Sequence, residues 1–171
     1  MRSRLGRLLG AVAAAFALAG SPAGATQKPP LVGLRAPQIV VPLIANGSGT
    51  FNLAQQHGSA VYINFFASWC KPCDAEAKTI EAVAAPYAQR GVQVIGIAVL
   101  DHPDEAAAFA RDHGLTYPIA FDKSGNAGEA YRVEQLPLHV FIAADGRVKQ
   151  YVPGGPIPAA ELRAGLSQIA P

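Results

Sequence analysis

The sequence predicts an α/β domain with a sheet set between helical layers, and three observations carry that prediction. Two continuous apolar runs rich in β-formers, "AVYINFF" (60–66) and "VQVIGIAVL" (92–100), read as strands buried on both faces. Segments of helical spacing follow each run, and strands alternating with helices imply helices packed on a sheet. The chain then closes with a hairpin and an amphipathic helix.

Taken in order, "TQKPPLVGLRAP" (26–37) is Pro-rich without periodicity and reads as a flexible lead-in. "QIVVPLIANGSGTFNLAQ" (38–55) reads as two short strands around "NGSG", because Asn-Gly and Gly supply the positive φ values a hairpin needs. From Cys73 to about Gln89, Ala77, Ile80 and Ala84 recur at helical spacing, and Gly91 stops the helix. Pro86 predicts a kink or an early end, since its ring removes a helical hydrogen bond. "HPDEAAAFARDHG" (102–114) has Pro and acids at its start and Gly at its end, the usual helix asymmetry. "YPIAFD" is a short extended piece, and "GNAGEAYRV" a short helix. "LHVFIAADGRVKQYV" (138–152) is a hairpin turning at Asp145-Gly146, and "IPAAELRAGLSQIA" is the closing helix. No repeat or internal boundary interrupts residues 31–171, so 38–171 is read as one domain.

With 50% hydrophobic and 15% charged residues, the 171-residue chain can bury one real core. A formal net charge of +2 without a long basic run gives no reason to expect nucleic acid. Arg2, Arg4 and Arg7 precede the apolar run "LLGAVAAAFALAG" and the small residues Ala23 and Ala25. That is the pattern of a secretory signal over 1–25, cleaved after Ala25. The alternative is an uncleaved anchor, but the run falls short of the ~20 residues that cross a bilayer. A soluble, exported mature protein without a transmembrane span is expected.

Both cysteines lie in "NFFASWCKPCDAE" (64–76), as Cys70 and Cys73. An exported protein that relies on structural disulfides usually carries several, and a ring over two intervening residues removes little unfolded-chain entropy. A structural zinc site needs two further ligands, and no other cysteine exists. The redox reading is favoured by position. The pair follows a buried strand and opens a helix, whose unpaired N–H groups and partial positive charge stabilise a thiolate. In this reading the strand end exposes the Cys70 sulfur, which exchanges with substrate, while Cys73 behind it resolves the mixed disulfide.

"VYINFFASWCKPC" resembles the active-site strand and turn of the thioredoxin fold, and is most similar to the exported TlpA/ResA-like thiol–disulfide oxidoreductases. The resemblance covers nearly all of the mature chain. "GVQVIGIAVLDHPDEAAAFARDHGLTYPIAFD" (91–122) resembles the central insert of that family, and "GNAGEAYRVEQLPLHVFIAADGRV" the segment carrying its cis-proline and hairpin. It implies a central mixed sheet flanked by helices, with an N-terminal β-hairpin and the TlpA-type insert. It further implies that Pro137 is the cis-proline, leaving the Leu136 backbone to pair with an extended substrate beside Cys70. Glu76 matches the family's acid one turn after the second cysteine, where it can accept the Cys73 proton or merely favour the helix dipole. Trp69 either shields the sulfur and offers a contact face or packs in the core. Asn64 stands where plain thioredoxin has a buried acid, which leaves Glu76 as the proton acceptor.

By that resemblance the protein is a periplasmic disulfide reductase without cofactor or metal. It acts on exported proteins carrying cysteine pairs, such as apocytochrome c or copper-site proteins, and draws electrons from a membrane thiol donor of the DsbD/CcdA type. "RVEQLPLH" lacks the signature of the cytochrome-maturation subgroup CcmG, so a role in haem attachment is not implied. Two alternatives stay open. His139 with the two cysteines could serve a copper-binding chaperone, since soft thiolates suit Cu(I). The same residues could also run as a disulfide-donating oxidase. Lys71 stabilises the thiolate, and Asp74 and Glu76 oppose it, each by about 1 kcal/mol or less.

Overall fold

The structure is a computed structural model that describes residues 31–171; the expected signal sequence lies outside the described residues. Seven strands form one mixed sheet in the order β2-β1-β5-β4-β3-β6-β7. The strands are β1 (Val40–Ala45), β2 (Thr50–Asn52), β3 (Val61–Phe66), β4 (Gln93–Ala98), β5 (Ile119–Phe121), β6 (Leu138–Ile142) and β7 (Val148–Pro153). Four helices are interspersed: α1 (Lys71–Ala88), α2 (Pro103–Asp112), α3 (Asn126–Ala130) and α4 (Ala159–Ile169).

The apolar run at β3 occupies the centre of the sheet, parallel to β4 and antiparallel to β6, and is buried at every position. Alternation along the strand divides its side chains between two cores. Tyr62 and Phe66 meet the inward faces of α1, α2 and α4, including Ile80, Phe109 and Leu162. Val61, Ile63 and Phe65 point the other way, against Leu53, Ala127 and Tyr131. Each such apolar side chain stabilises the fold by roughly 1.5–3 kcal/mol relative to an exposed one, so the central strand anchors both cores.

The N-terminal hairpin forms as the sequence predicts, with Val41 opposite Phe51, and β1 then pairs antiparallel with β5. The insert contributes β4, α2 and β5, which extends the parallel part of the sheet. Carboxylates of α1 clasp the insert at two places. Glu81 accepts hydrogen bonds from the Thr116 backbone N–H (2.9 Å) and hydroxyl (2.6 Å). Asp74 Oδ1 lies 2.9 Å from His113 Nε2.

Three expectations are corrected. The first helix begins at Lys71, earlier than Cys73, because Pro72 suits the first turn and Cys70 caps it. It also runs past Pro86 to Ala88, since so near the C-terminal end the lost hydrogen bond costs little further helix. The lead-in, read as flexible over 26–37, is tied to the β6–β7 hairpin within its described part. Gly33 N–H donates to Val148 O (2.8 Å), Ala36 N–H to Gly146 O (2.9 Å), and Leu31 and Val32 pack on the second core. Sparse periodicity concealed these contacts, whose hydrogen bonds are made by main chain.

Candidate active site

β3 ends at Phe66, and the next residues carry the chain over the sheet edge into α1. Cys70 is the N-cap of that helix, with extended φ/ψ of −82° and 104°, and its Sγ accepts the Cys73 N–H at 3.2 Å. Cys70 and Cys73 are joined by a disulfide, their Cα atoms 5.2 Å apart. The helix start therefore directs both its partial charge and a specific N–H at the Cys70 sulfur.

The Cys70 sulfur was expected to stand exposed. In the disulfide form Cys70 is only 4% exposed and Cys73 2%. Burial follows from packing, since both residues belong to the α1-side core with Ala67 and Ala77. The asymmetry between them persists in another form. A cleft of about 260 Å³ is lined by Cys70, Trp69, Pro72, Leu100, Val133 and Leu136, and Cys73 does not reach it.

Trp69 is 60% exposed, so core packing is not its role; its indole N–H donates to Leu100 O at 2.8 Å. Leu100 is itself 78% exposed and has a φ of +53°, a costly conformation for a branched side chain. Asp101 holds this loop against the one before the cysteines. Its carboxylate accepts from Ser68 N–H (2.6 Å), Ser68 Oγ–H (2.8 Å) and His102 N–H (2.8 Å). We expect Asp101→Ala to destabilise the protein by about 2 kcal/mol, the order of a charge-assisted hydrogen bond. Because Trp69 is the only tryptophan, its emission will report the loosened loop directly. An unchanged emission spectrum and melting temperature would contradict this account.

Across the cleft, the Leu136–Pro137 peptide bond is cis, as the resemblance implied, and β6 starts at the next residue. Glu76 lies one turn beyond Cys73 on α1, so the two side chains share a helix face. It is 1% exposed, with Oε2 accepting the Ile157 N–H at 2.7 Å and lying 3.3 Å from His139 Nε2. The other carboxylate oxygen, Oε1, has no hydrogen-bond partner. Asn64 is 4% exposed and lies opposite His139 in the β3–β6 register.

His139, considered as a copper ligand, is fully buried, with Nδ1 2.9 Å from the Tyr62 hydroxyl and Nε2 towards Glu76. Among the described residues no three His, Cys, Asp or Glu side chains converge as a metal site. The two ring nitrogens of His139 are instead turned toward the Tyr62 hydroxyl and the Glu76 carboxylate. The sequence reading missed the Tyr62–His139–Glu76 contact and the Ser68–Asp101 lock. The available signal for the first was His139 at a buried position of the run "LHVFI"; the second joins residues 33 apart and left none.

A strand–turn–helix bearing an N-capping Cys70, a Cys70–Cys73 disulfide and a facing cis-proline, on this mixed sheet, define a thioredoxin-like redox domain. The chain belongs to the AhpC/TSA family, which it matches over residues 32–151. It is 30% identical over 122 residues to the thiol-disulfide oxidoreductase ResA of Oceanobacillus iheyensis, covering 71% of this chain and 63% of that one. It is 33% identical over 102 residues to ResA of Geobacillus kaustophilus, covering 60% of this chain and 59% of that one. The match to ResA of Bacillus thuringiensis subsp. konkukian, 30% over 123 residues, covers 72% and 70%. The chain thus spans about three fifths of the length of the first two relatives. Among solved structures, it is similar to a secreted Mycobacterium tuberculosis disulfide oxidoreductase homologous to E. coli DsbE. That similarity has a TM-score of 0.68 at 26% identity and covers 77% of this chain and 96% of that one. A thiol:disulfide interchange protein of Chlorobium tepidum gives a TM-score of 0.70 at 25% identity, covering 79% and 94%. No helix among the described residues is long and apolar enough to cross a membrane.

Proposed function

We propose that this protein is a thiol–disulfide oxidoreductase that reduces disulfides in exported proteins. The observation that carries the reading is the Cys70–Cys73 disulfide capping a helix beside an apolar cleft that reaches only Cys70. In the dithiol form, the Cys70 thiolate attacks a substrate disulfide. The substrate S–S bond breaks, a Cys70–substrate bond forms, and one substrate sulfur leaves as a thiolate. Cys73 then gives its proton to Glu76 and attacks the Cys70 sulfur. The Cys70–Cys73 disulfide forms as the second substrate sulfur leaves, so two electrons have passed to the substrate. The disulfide form is the one seen here, and a thiol donor must restore the dithiol.

In this reading Trp69 and the Leu136 main chain hold an extended substrate segment, and Pro137 shapes the loop that presents Leu136. A second hollow of about 400 Å³ shares Leu100, Val133 and Glu134 with the cysteine cleft, which gives such a segment a continuous path. Residues 1–25 serve as the export signal, 38–171 as the working domain, and the periplasm as the compartment. Electrons come from a membrane donor of the DsbD/CcdA type, and apocytochrome c or copper-site proteins are the substrates to try first. The test is reduction of insulin by the dithiol-regenerated protein. Cys70→Ser is expected to abolish it, and activity surviving that change would overturn the assignment.

A further inference from the structure

Three buried side-chain atoms among the described residues lack a hydrogen-bond partner: Asn64 Oδ1, Glu76 Oε1 and His139 Nε2. They fall in one place, since Asn64 and His139 are cross-strand neighbours and His139 Nε2 lies 3.3 Å from Glu76 Oε2. Unpartnered polar atoms inside a core are costly, about 1–3 kcal/mol each, and their concentration beside Cys73 calls for a use. A histidine that only filled space there could be replaced by an apolar residue at no loss to the chemistry.

The second ring nitrogen gives the direction. His139 Nδ1 lies 2.9 Å from the Tyr62 hydroxyl, and burial, then the neighbouring Tyr117 and Glu76, push the Tyr62 phenol well above its ordinary range. Tyr62 thus stays a phenol and can donate its O–H to Nδ1, which places the ring proton on Nε2, facing the carboxylate. The other groups packed around this point add no positive charge. Tyr117 is held neutral by burial, Asn64 is uncharged, Cys73 is the proton source, and the chain before α4 contributes only the Ile157 N–H.

We propose that His139 is a positioning residue for Glu76: its Nε2–H edge and the Ile157 N–H together hold Oε2 and favour the carboxylate. Oε1 is then left free to take the proton of Cys73. The inference rests on Glu76 being that proton acceptor. The 3.3 Å separation lies outside hydrogen-bond geometry in the disulfide form, which suits a charge–dipole contact that orients the carboxylate without tying it down. The proton balance is simple. Cys73 loses one proton to Oε1 as its sulfur attacks, and Glu76 returns a proton to the Cys73 sulfur when a thiol donor breaks the Cys70–Cys73 bond and restores the dithiol.

The experiment follows the two release steps when dithiol protein reacts with 5,5′-dithiobis(2-nitrobenzoate). The first thiobenzoate leaves as the Cys70 thiolate attacks the reagent's disulfide and forms a mixed disulfide; the second leaves only as Cys73 resolves that mixed disulfide. In His139→Leu the first step should be unchanged, and the pH at which the second half-rises should move up. The sign follows because without the Nε2–H the carboxylate accepts its own proton more readily, so the free base is present only at higher pH. His139→Gln, which restores an N–H, should recover most of the shift. Tyr62→Phe, which frees the tautomer, should move it in the same direction by less, and serves alone if His139→Leu does not fold. Glu76→Gln should slow the second step throughout, and adding His139→Leu to it should change nothing further. An unshifted profile in His139→Leu and Tyr62→Phe, with Glu76→Gln slow, overturns the role of His139 and leaves that of Glu76. An unaffected second step in Glu76→Gln overturns the proton-acceptor reading itself.

Discussion

Cys73→Ala protein, mixed with a disulfide substrate, will stop at a mixed disulfide through Cys70 and lose at least about 10³-fold in multiple-turnover reduction. The magnitude comes from the attack that is lost. Cys73 sits one helical turn from Cys70 and within disulfide reach, so its attack is intramolecular and benefits from the large effective molarities of held groups. An external thiol at millimolar concentration cannot match it. Cys70 keeps its N-cap position, its exposure to the cleft and the helix terminus that favours its thiolate, so the first step survives. Non-reducing electrophoresis after acid quench, with thiol-cleavable adducts identified by mass spectrometry, measures the stalled species. Cells expressing this variant would also disclose the natural substrates. Equal turnover by Cys73→Ala and the parent would mean that resolution comes from outside the chain, and the two-cysteine cycle would be wrong.

The geometry also bears on which way the electrons run. Lys71 at the exposed start of α1 favours the thiolate, and so the dithiol form, while Asp74 and Glu76 oppose it. Asp74, though, faces His113 Nε2 at 2.9 Å, and His113 Nδ1 faces Phe109 O at the same distance. Both ring nitrogens therefore lie against acceptor oxygens. One of the two opposing acids, Asp74, is thus partnered by His113. Glu76 remains, buried and held by the Ile157 N–H. Since ~30 mV corresponds to ~1.4 kcal/mol for a two-electron couple, contributions of about 1 kcal/mol or less each move the potential by only about 20 mV, and they oppose one another.

The parts legible in the sequence were those whose cause is local. The two buried runs became β3 and β4, and the turn signals Asn46-Gly47 and Asp145-Gly146 became hairpins. The spacing of Cys70 and Cys73 after a buried strand gave the disulfide and its place at the helix start. The order of strands in the sheet, with β1 beside β5 at one side and β6 beside β3 at the other, was not legible, because pairing partners leave no trace in periodicity; the resemblance implied only a mixed sheet with an N-terminal hairpin and an insert. His139 shows the limit most clearly. A histidine among apolar strand residues says that it is buried, but its ring can serve a metal, a carboxylate or a phenol. Only the meeting of β6 with β3 and α1 decides between them. Asp101 was silent for the same reason, since its acceptors' partners on Ser68 lie across the sheet edge.

Gly165→Val, on the helix that closes the chain, should damage stability strongly, costing about 3 kcal/mol as overpacking. A Cβ at Gly165 would stand 2.6 Å from Phe141 Cε1 and 2.7 Å from both Phe141 Cζ and Gln150 Oε1. Real side chains do not approach so closely, and the Phe141 ring, fully buried, cannot swing away. Its other neighbour is the Tyr62 ring, with centroids 4.9 Å apart, and Tyr62 in turn contacts His139. α4 must therefore lift from β6 and β7, or push Phe141 into the array that backs Glu76. For a domain of this size the cost corresponds to a fall of about 10 °C in melting temperature. Ala164→Val supplies the control, since its side chain is exposed on the same helix turn and forfeits only about 0.5 kcal/mol of helix propensity. If the two variants melt together, contact at Gly165 is not what sets the α4 packing. If Gly165→Val melts lower and also slows Cys73 resolution, the back of the sheet and the active-site carboxylate are mechanically one unit.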